Sequence, residues 1–294
     1  MEKVIKISVH DLMLDQKRSL LYCIGSKVKI FDVANKLKKI KVLDNLKHPN
    51  QMLFDDDLGI IIVKNTIGGF AIYNYDNFEL IKRFNLKSIN GNTDDDFIFD
   101  KANKVIYCIA SVFKNKNLEL ELVKIAYETM QIDYIPLKFV LEKNILSHYS
   151  LHKIVGNELY LFYTIININN SSIIKSSYGK YLIENNCLIE IENLWEAKRD
   201  FSLMKTINEN LSYGFNYIVD VSKKEVYSLE KISKSVIYNI FCYNGRLAII
   251  TSDRIYFVEN FETIVDTIDG KYLSCYLETD DYKFIGSWEY LQIM

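Results

Sequence analysis

The sequence predicts an all-β protein made of seven four-stranded antiparallel sheets, and three observations support this prediction. First, residues 20–26, LLYCIGS, return at residues 105–111 as VIYCIAS, so part of the chain repeats. Second, apolar runs of strand length recur along the chain with short polar turns between them. Third, 21 Tyr and 16 Phe against only 2 Pro favour strands, because aromatic residues suit a pleated, half-buried surface.

The repeated unit consists of an apolar strand, a polar turn that often opens with Asp, and a second, more apolar strand. Asp, Asn and Gly in such turns are typical of antiparallel hairpins, and the unbroken hydrophobicity of the second strand fits burial on both faces. Three regular copies follow one another, and three less regular copies come later. The regular copies are residues 12–24, 52–63 and 97–109, and the others are residues 149–163, 240–250 and 273–285.

The spacing of the turns predicts the number of sheets. Successive turns lie 36 to 52 residues apart, except for one interval of 91 between residues 152 and 243. Within that interval, YIVDV followed by EVYSLEKI at residues 217–232 matches KIFDV followed by LKKIKV at residues 29–42, which indicates a seventh copy. Seven units average about 42 residues, as in a propeller of four-stranded blades. Six blades is the alternative, if residues 193–232 fold together with their neighbours as a single irregular unit.

The two chain ends predict how a ring of blades would close. Residues 287–294 are long enough for a third strand of the last blade but not for a fourth, and residues 3–9 form a strand pattern that belongs to no other unit. Pairing of the N-terminal strand with the C-terminal strands would complete the last blade and remove an exposed edge. We therefore expect a single seven-bladed β-propeller domain over residues 1–294.

Two strand endings, Phe31-Asp32-Val33 and Val219-Asp220-Val221, are similar to degenerate Trp-Asp dipeptides. Together with the period and the strand pattern of the whole chain, they make the sequence resemble the WD40-like and quinoprotein-like β-propeller superfamily. The sequence has neither a Gly-His pair nor a Trp-Asp dipeptide, so the subfamily stays unassigned. The resemblance implies a toroidal scaffold whose loops bind proteins or peptides.

Charge and composition bear on the class of partner and on the compartment. The formal net charge of −2 gives no electrostatic reason to expect nucleic acid or an anionic membrane as a partner. The N-terminus lacks the apolar core of a secretory signal, and the longest apolar run, residues 159–166, is far shorter than a membrane span. Five scattered cysteines fit reduced, mostly buried thiols. We therefore expect a soluble cytoplasmic protein.

No residue pattern predicts an active site. The sequence contains no GxSxG, glycine-rich phosphate loop, HExxH or CxxC. His148 and His152 would lie on one face of a strand about 13 Å apart, too far for one ion to bridge them. The aspartates at positions 55–57, 94–96 and 280–281 lack the spacing of a calcium loop, and the lysines at positions 36, 38, 39 and 41 fit a protected outer strand. We expect no catalytic residue, no metal and no cofactor.

Long connections predict the binding face. They are expected at residues 85–96, 111–117, 137–144 and 167–177, all around the third and fourth units, and loops that gather on one face of a repeat protein often bind its partner. Residues 167–178, NINNSSIIKSSY, are the strongest candidate, because two isoleucines stand among amides and hydroxyls. Trp288, in contrast, is expected in the core of the last blade. The candidate binding residues are Phe113, Lys114, Lys116, Asn167, Asn169, Asn170, Ile173, Ile174, Tyr178 and Trp195.

The main functional hypothesis is a non-enzymatic module that binds a protein or peptide through the loop-rich face around blades 3 and 4. One alternative is a hydrolase or lactonase-type enzyme with its site at the central channel, since propeller active sites are assembled from distant blades. A second alternative is a carbohydrate-binding propeller that uses Tyr and Trp on loop tips. The identity of the partner and the oligomeric state stay open at this point.

Overall fold

The structure is a computed structural model that describes residues 3–86, 93–114, 117–137, 141–142 and 144–294. The fold is all-β, with seven antiparallel blades and the β-propeller architecture that the repeat predicts. Within the described ranges the chain forms 29 strands and no helix. Accordingly, no described element is a helix that is long and apolar enough to cross a membrane.

Each blade is one antiparallel sheet, and in blades 1 to 6 the strands pair in chain order. Blade 1 contains β2 (Asp11–Asp15), β3 (Leu20–Ile24), β4 (Val28–Asp32) and β5 (Lys38–Leu43). Blade 2 contains β6 (Pro49–Asp55), β7 (Ile60–Asn65), β8 (Gly69–Asn74) and β9 (Leu80–Asn85). Blade 3 contains β10 (Thr93–Asp100), β11 (Val105–Lys114), β12 (Asn117–Ala126) and β13 (Gln131–Pro136).

The remaining blades differ more in strand length. Blade 4 contains β14 (Leu141–Glu142), β15 (Ile145–Val155), β16 (Glu158–Asn167), β17 (Ser172–Glu184) and β18 (Cys187–Glu196). Blade 5 contains β19 (Lys205–Thr206), β20 (Leu211–Gly214), β21 (Tyr217–Asp220) and β22 (Glu225–Ser228). Blade 6 contains β23 (Asn239–Tyr243), β24 (Arg246–Ile250), β25 (Arg254–Glu259) and β26 (Thr263–Asp269). Blade 7 contains β27 (Leu273–Glu278), β28 (Lys283–Ser287), β29 (Leu291–Ile293) and the N-terminal β1 (Lys3–Ile5).

The chain divides into two compact units. Unit 1 comprises Met1–Asn85, Phe215–Tyr217 and Tyr227–Met294, and it holds blades 1, 2, 6 and 7. Unit 2 comprises Leu86–Gly214 and Ile218–Val226, and it holds blades 3 and 4 with most of blade 5.

In unit 1, the apolar faces of neighbouring blades pack on one another. Tyr22 and Ile30 of blade 1 lie in one buried cluster with Ile61 and Tyr73 of blade 2. Further clusters join blade 7 to blade 1 and blade 6 to blade 7. Every residue of the second strands β3 and β7 is buried, which confirms what their unbroken hydrophobicity predicts.

Aspartates end the first strands of blades 1 to 3 and shape the turns that follow. Asp15, Asp55 and Asp100 are buried, with at most 6% of each residue exposed. Their Oδ1 atoms accept the backbone N–H of the residue three positions later, at distances of 3.1 to 3.2 Å. Such bonds hold the turn N–H groups that the strand ladder does not use. The predicted Asp-opened turns are therefore confirmed.

The N-terminal strand completes blade 7, as the chain ends predict. β1 pairs antiparallel with β29, and Ile5 lies opposite Leu291. The contact continues past the strand, where the Val9 N–H donates to the Ser287 carbonyl oxygen at 2.8 Å. The outermost strand of the last blade therefore comes from the opposite end of the chain.

In unit 2, the hairpins β11–β12 of blade 3 and β16–β17 of blade 4 have unusually long strands. β11, β12 and β16 contain ten residues each and β17 contains 13. The connections predicted at residues 111–117 and 167–177 are therefore mostly strand where the structure describes them, because polar residues at the end of a hairpin still pair through their backbones. Ser176 and Ser177 of β17 are buried. The connections predicted at residues 85–96 and 137–144 lie partly outside the described residues.

Blade 5 is the copy that the sequence shows only in part. β21 and β22 lie where YIVDV and EVYSLEKI predict them. The first strand has only two residues and the second only four, too few for a visible alternation. The prediction of seven blades is confirmed, and the alternative of six is wrong.

The thiols and the lysine run also lie where their sequence context indicates. All five cysteines are free, and Cys23, Cys108 and Cys275 are buried while Cys187 is exposed. The run of lysines at positions 38, 39 and 41 is exposed on β5, the outer strand of blade 1.

Candidate functional site

The candidate binding residues of blade 3 lie at the end of the β11–β12 hairpin. In the ladder, Phe113 is opposite Leu118 and Lys114 is opposite Asn117. Lys116 lies outside the described residues. Phe113 and Lys114 therefore belong to a strand and not to an irregular loop.

Asparagines shape the tip of the β16–β17 hairpin, residues 168–171. The side-chain oxygen of Asn167 accepts the Asn169 N–H at 3.0 Å, and that of Asn170 accepts the Ser172 N–H at 3.1 Å. These oxygens hold the turn, so they are not free to contact a partner. Asn169 and Asn170 are exposed, and the neighbouring Ile168 is 52% exposed.

A β-bulge turns Ile174 toward solvent. Ile166 lies opposite Ile173 and Ile165 lies opposite Lys175, which leaves Ile174 as an extra residue in β17. The side chain of an extra residue departs from the alternation of the strand. Ile174 is 54% exposed, whereas Ile173 is half-buried.

Tyr178 lies beneath the surface of blade 4. Only 3% of the residue is exposed, and its ring centre is 4.8 Å from that of Phe162. Its hydroxyl oxygen lies 2.7 Å from His152 Nδ1. Burial raises the pKa of Tyr178. Tyr178 therefore supports the blade from within and offers no area to a partner.

His152 is the buried polar centre of blade 4. It is 2% exposed. It stands at a bulge in β15, so the distance of about 13 Å to His148 that a regular strand predicts does not apply. Its Nε2 lies 3.2 Å from the Asn208 carbonyl oxygen. Because a carbonyl only accepts, Nε2 carries the hydrogen, and Nδ1 accepts the Tyr178 hydroxyl hydrogen. Burial lowers the pKa of His152 to about 4, so the ring is neutral at pH 7.

The segment after β18 packs onto blade 4 through Phe201. Phe201 is fully buried, and its ring centre lies 5.3 Å from those of Phe162 and Trp195. The Phe201 N–H donates to Thr164 Oγ1 at 2.9 Å. Trp195 is half-buried in β18, opposite Tyr178. Of the aromatic candidates whose side chains are described, Trp195 alone has area left for a partner.

β18, the outer strand of blade 4, exposes two isoleucines that the sequence analysis missed. Ile189 is 43% and Ile191 is 47% exposed. Ile191 is the extra residue of another bulge, between the partners of Tyr181 and Lys180. With ten residues, β18 is the longest outer strand in the described part of the chain, where the others have three to seven. The alternation in LIEIE indicates a strand, but only the fold reveals that its isoleucines are uncovered.

An exposed aromatic group in unit 1 corrects the expectation for Trp288. Trp288 is 50% exposed in the turn between β28 and β29. Its ring centre lies 5.9 Å from that of Tyr238 and 6.3 Å from that of His10. Tyr272, 54% exposed, accepts the Trp288 N–H at its carbonyl oxygen, 3.0 Å away. The core placement of Trp288 is wrong because it lies in a turn. We call Trp288, Tyr238, Tyr272 and His10 the Trp288 cluster.

Carboxylates that could share a metal ion occur once in the described ranges, at Asp55, Asp56 and Asp57. Asp55 accepts a turn N–H, and the Asp56 Oδ2 lies 2.9 Å from Lys17 Nζ. Two of the three therefore already have protein partners, as is usual for aspartates at a hairpin turn.

Comparisons with known proteins extend the description of the fold and leave the site without a precedent. No protein-family model matches the chain, and no curated protein matches it. Among solved structures, the chain is similar to the crystal structure of the computationally designed Ika8 protein, with a TM-score of 0.59 and 9% identity. The match covers 99% of this chain and 97% of that one. A similarity at this identity concerns the fold alone.

Proposed function

We propose that this β-propeller is a non-enzymatic interaction module that binds a protein or peptide through the outer edge of blade 4. The observation that carries the proposal is the long outer strand β18, which exposes Ile189 and Ile191. Outer strands of soluble proteins are normally short or protected by charge, because a long apolar edge invites association. β18 is long and alternates exposed isoleucines with exposed glutamates, which makes it a candidate docking edge for a partner of matching chemistry.

The surroundings of this edge indicate the chemistry of the partner. Glu190, Glu192 and Glu196 are exposed on the same strand. Ile168 at the tip of the β16–β17 hairpin and Ile174 in β17 are further exposed apolar residues of the same blade. A partner segment with aliphatic residues for the isoleucines and basic residues for the glutamates would match this edge.

Site-specific cross-linking tests the proposal. A photoreactive residue at position 191 is expected to trap a discrete partner from lysate. A photoreactive residue at position 265 is expected to trap none, although Val265 is 45% exposed on β26, the outer strand of blade 6. With the purified partner, Ile189→Asp is expected to weaken binding at least about tenfold, because apolar contacts near the centre of an interface dominate its affinity.

A matched control accompanies this variant. Ile264 is 43% exposed on β26, as Ile189 is on β18, so Ile264→Asp introduces the same charge at the same exposure and is expected to bind as the wild type does. Equal trapping at positions 191 and 265, or unchanged affinity in Ile189→Asp, would refute the role of blade 4.

The Trp288 cluster favours carbohydrate binding as a second candidate function. Exposed Trp and Tyr combine an apolar ring face with a polar atom, which suits a sugar. On a glycan array, wild-type protein is expected to bind a defined glycan, and Trp288→Ala is expected to lose at least about tenfold in affinity. Tyr282→Ala, which removes a ring that is 36% exposed elsewhere in unit 1, serves as the control. Binding that survives Trp288→Ala would exclude the cluster as the site.

A further inference from the structure

We propose that a lysine-lined groove in unit 1 binds an extended, acidic peptide segment of a partner protein. The groove has a volume of about 520 Å³ and lies beside the outer strands β1 of blade 7 and β5 of blade 1. We call it the lysine groove and define it by Lys3, Lys6, Lys29, Lys39, Ile5 and Ile7. It is separate from the edge of blade 4, so the inference goes beyond the proposed function.

Within the described residues, no carboxylate is paired with the lysines of the groove. Residues 3–41 contain ten lysines and arginines but only three aspartates, although the whole chain carries a net charge of −2. Lys3 Nζ donates to the Lys36 carbonyl oxygen. Like charges that gather without counter-charges raise the local concentration of an anionic ligand.

Two of the three aspartates in residues 3–41 have other partners. Asp15 forms an ion pair with Arg18, with 2.7 Å between Oδ2 and Nε. Asp32 accepts the Asn35 N–H in the turn after β4 at 3.0 Å. A ligand that supplies carboxylates would therefore meet lysines without displacing an internal partner.

Protection of a sheet edge does not account for these lysines. Lys39 lies on the outer strand β5, where lysine discourages association. Lys29, however, lies on β4, which is paired on both sides, and Lys6 follows the end of β1. Lys29 is half-buried, so its ammonium group reaches the groove from within the sheet. The convergence of lysines from three segments on one concave surface indicates a binding role.

The floor of the groove favours a peptide over a free phosphate or a nucleic acid. Phe31 and Leu37 underlie it and are only 3% and 4% exposed, because they belong to the core between blades 7 and 1. The apolar floor that a ligand can contact is therefore formed by the half-buried Ile5 and Ile7. Ile5 and Ile7 pack against the same core. A rigid apolar floor inside a basic rim matches a segment in which acidic and aliphatic residues alternate, and the flanking outer strands offer backbone groups to an extended chain.

Fluorescence anisotropy tests this inference. The whole chain is titrated against a short labelled peptide of alternating glutamate and leucine. The triple variant Lys6→Glu, Lys29→Glu, Lys39→Glu is expected to weaken binding at least about tenfold. The double variant Lys6→Glu, Lys39→Glu keeps the half-buried Lys29 and is expected to show a smaller loss in the same direction. Raising the salt concentration from about 50 to about 300 mM is expected to weaken wild-type binding, because exposed charges are screened.

Matched controls separate charge at the groove from charge in general. The variant Lys231→Glu, Lys234→Glu, Lys271→Glu makes the same charge change at exposed positions elsewhere in unit 1 and is expected to bind the peptide as the wild type does. Ile189→Asp is also expected to bind it normally, so failure here and failure of the proposed function can be told apart.

Three results would overturn the inference. The first is wild-type affinity in both groove variants, and the second is equal binding of a peptide with glutamine in place of glutamate. The third is that the groove binds an oligonucleotide, polyphosphate or vesicles of anionic lipid more tightly than it binds the peptide. The ligand would then belong to another class.

Discussion

Replacing Phe201 by alanine is expected to lower the free energy of unfolding by about 3 to 5 kcal/mol, the range for a fully buried Phe. Phe201 lies outside the sheets, yet it is fully buried against Phe162 and Trp195. Its N–H also donates to the buried Thr164 hydroxyl. Removing the ring would leave a cavity over blade 4 that the neighbouring strands cannot close without breaking their ladders.

Urea unfolding followed by tryptophan fluorescence measures this loss. Trp195 packs on Phe201, so its emission reports the local packing as well as global unfolding. Phe215→Ala is the control, because Phe215 is 63% exposed and such substitutions change stability by about 0.5 kcal/mol or less. If the two variants unfolded at the same urea concentration, the segment that carries Phe201 would not be a structural part of blade 4.

Acidification is expected to destabilise the protein through His152. Burial lowers the pKa of His152 to about 4 in the folded protein, from an ordinary value of 6.5. Between these two pH values the unfolded chain binds a proton at this site and the folded protein does not, so stability falls as the pH falls from 6.5 toward 4. The full difference corresponds to about 3 kcal/mol, and above pH 7 the ring is neutral in both states.

The environment of His152 explains why the charged ring is disfavoured. Burial removes the ring from the water that would stabilise its charged form, and this is the largest cause of the lowered pKa. Lys153 lies near enough to lower the pKa further, while the Asn208 carbonyl partly offsets these effects. No carboxylate contributes to this shift. The neutral ring is therefore favoured in the folded protein.

The measurement is a series of urea unfolding curves between pH 7 and 4 for the wild type and for His152→Gln. The wild type is expected to lose more stability than the variant over this interval. The difference between the two proteins removes the contributions of other groups, including His10 and His148, whose pKa values burial also lowers. Parallel pH profiles for the two proteins would show that His152 is not the titrating group.

Much of the fold could be predicted because its determinants are local. Asp15, Asp55 and Asp100 open turns by bonding to N–H groups three residues away, and such short-range chemistry is visible in the sequence. The copy in blade 5 was only partly visible, because its first two strands are too short to show alternation. The long connections of blades 3 and 4 were misread for a related reason, since polar residues can continue a ladder at the end of a hairpin.

The candidate site was harder to predict, because exposure is not a local property. Tyr178 sits in a polar, loop-like stretch and is buried, whereas Trp288 sits in an apolar blade and is half exposed. Ile174 and Ile191 are exposed at bulges, where one extra residue breaks the alternation used to assign faces.

The sequence by itself determined the number of blades, the strand and turn pattern of most of them, and the pairing of the first strand with the last. These follow from a repeat, from hairpin chemistry and from a strand left over at each end, all of which are recorded in the order of residues. Only the tertiary structure decided which side chains are available to a partner. It gathered Lys6, Lys29 and Lys39 into one groove and left the isoleucines of β18 uncovered, because burial and convergence depend on what packs against each strand.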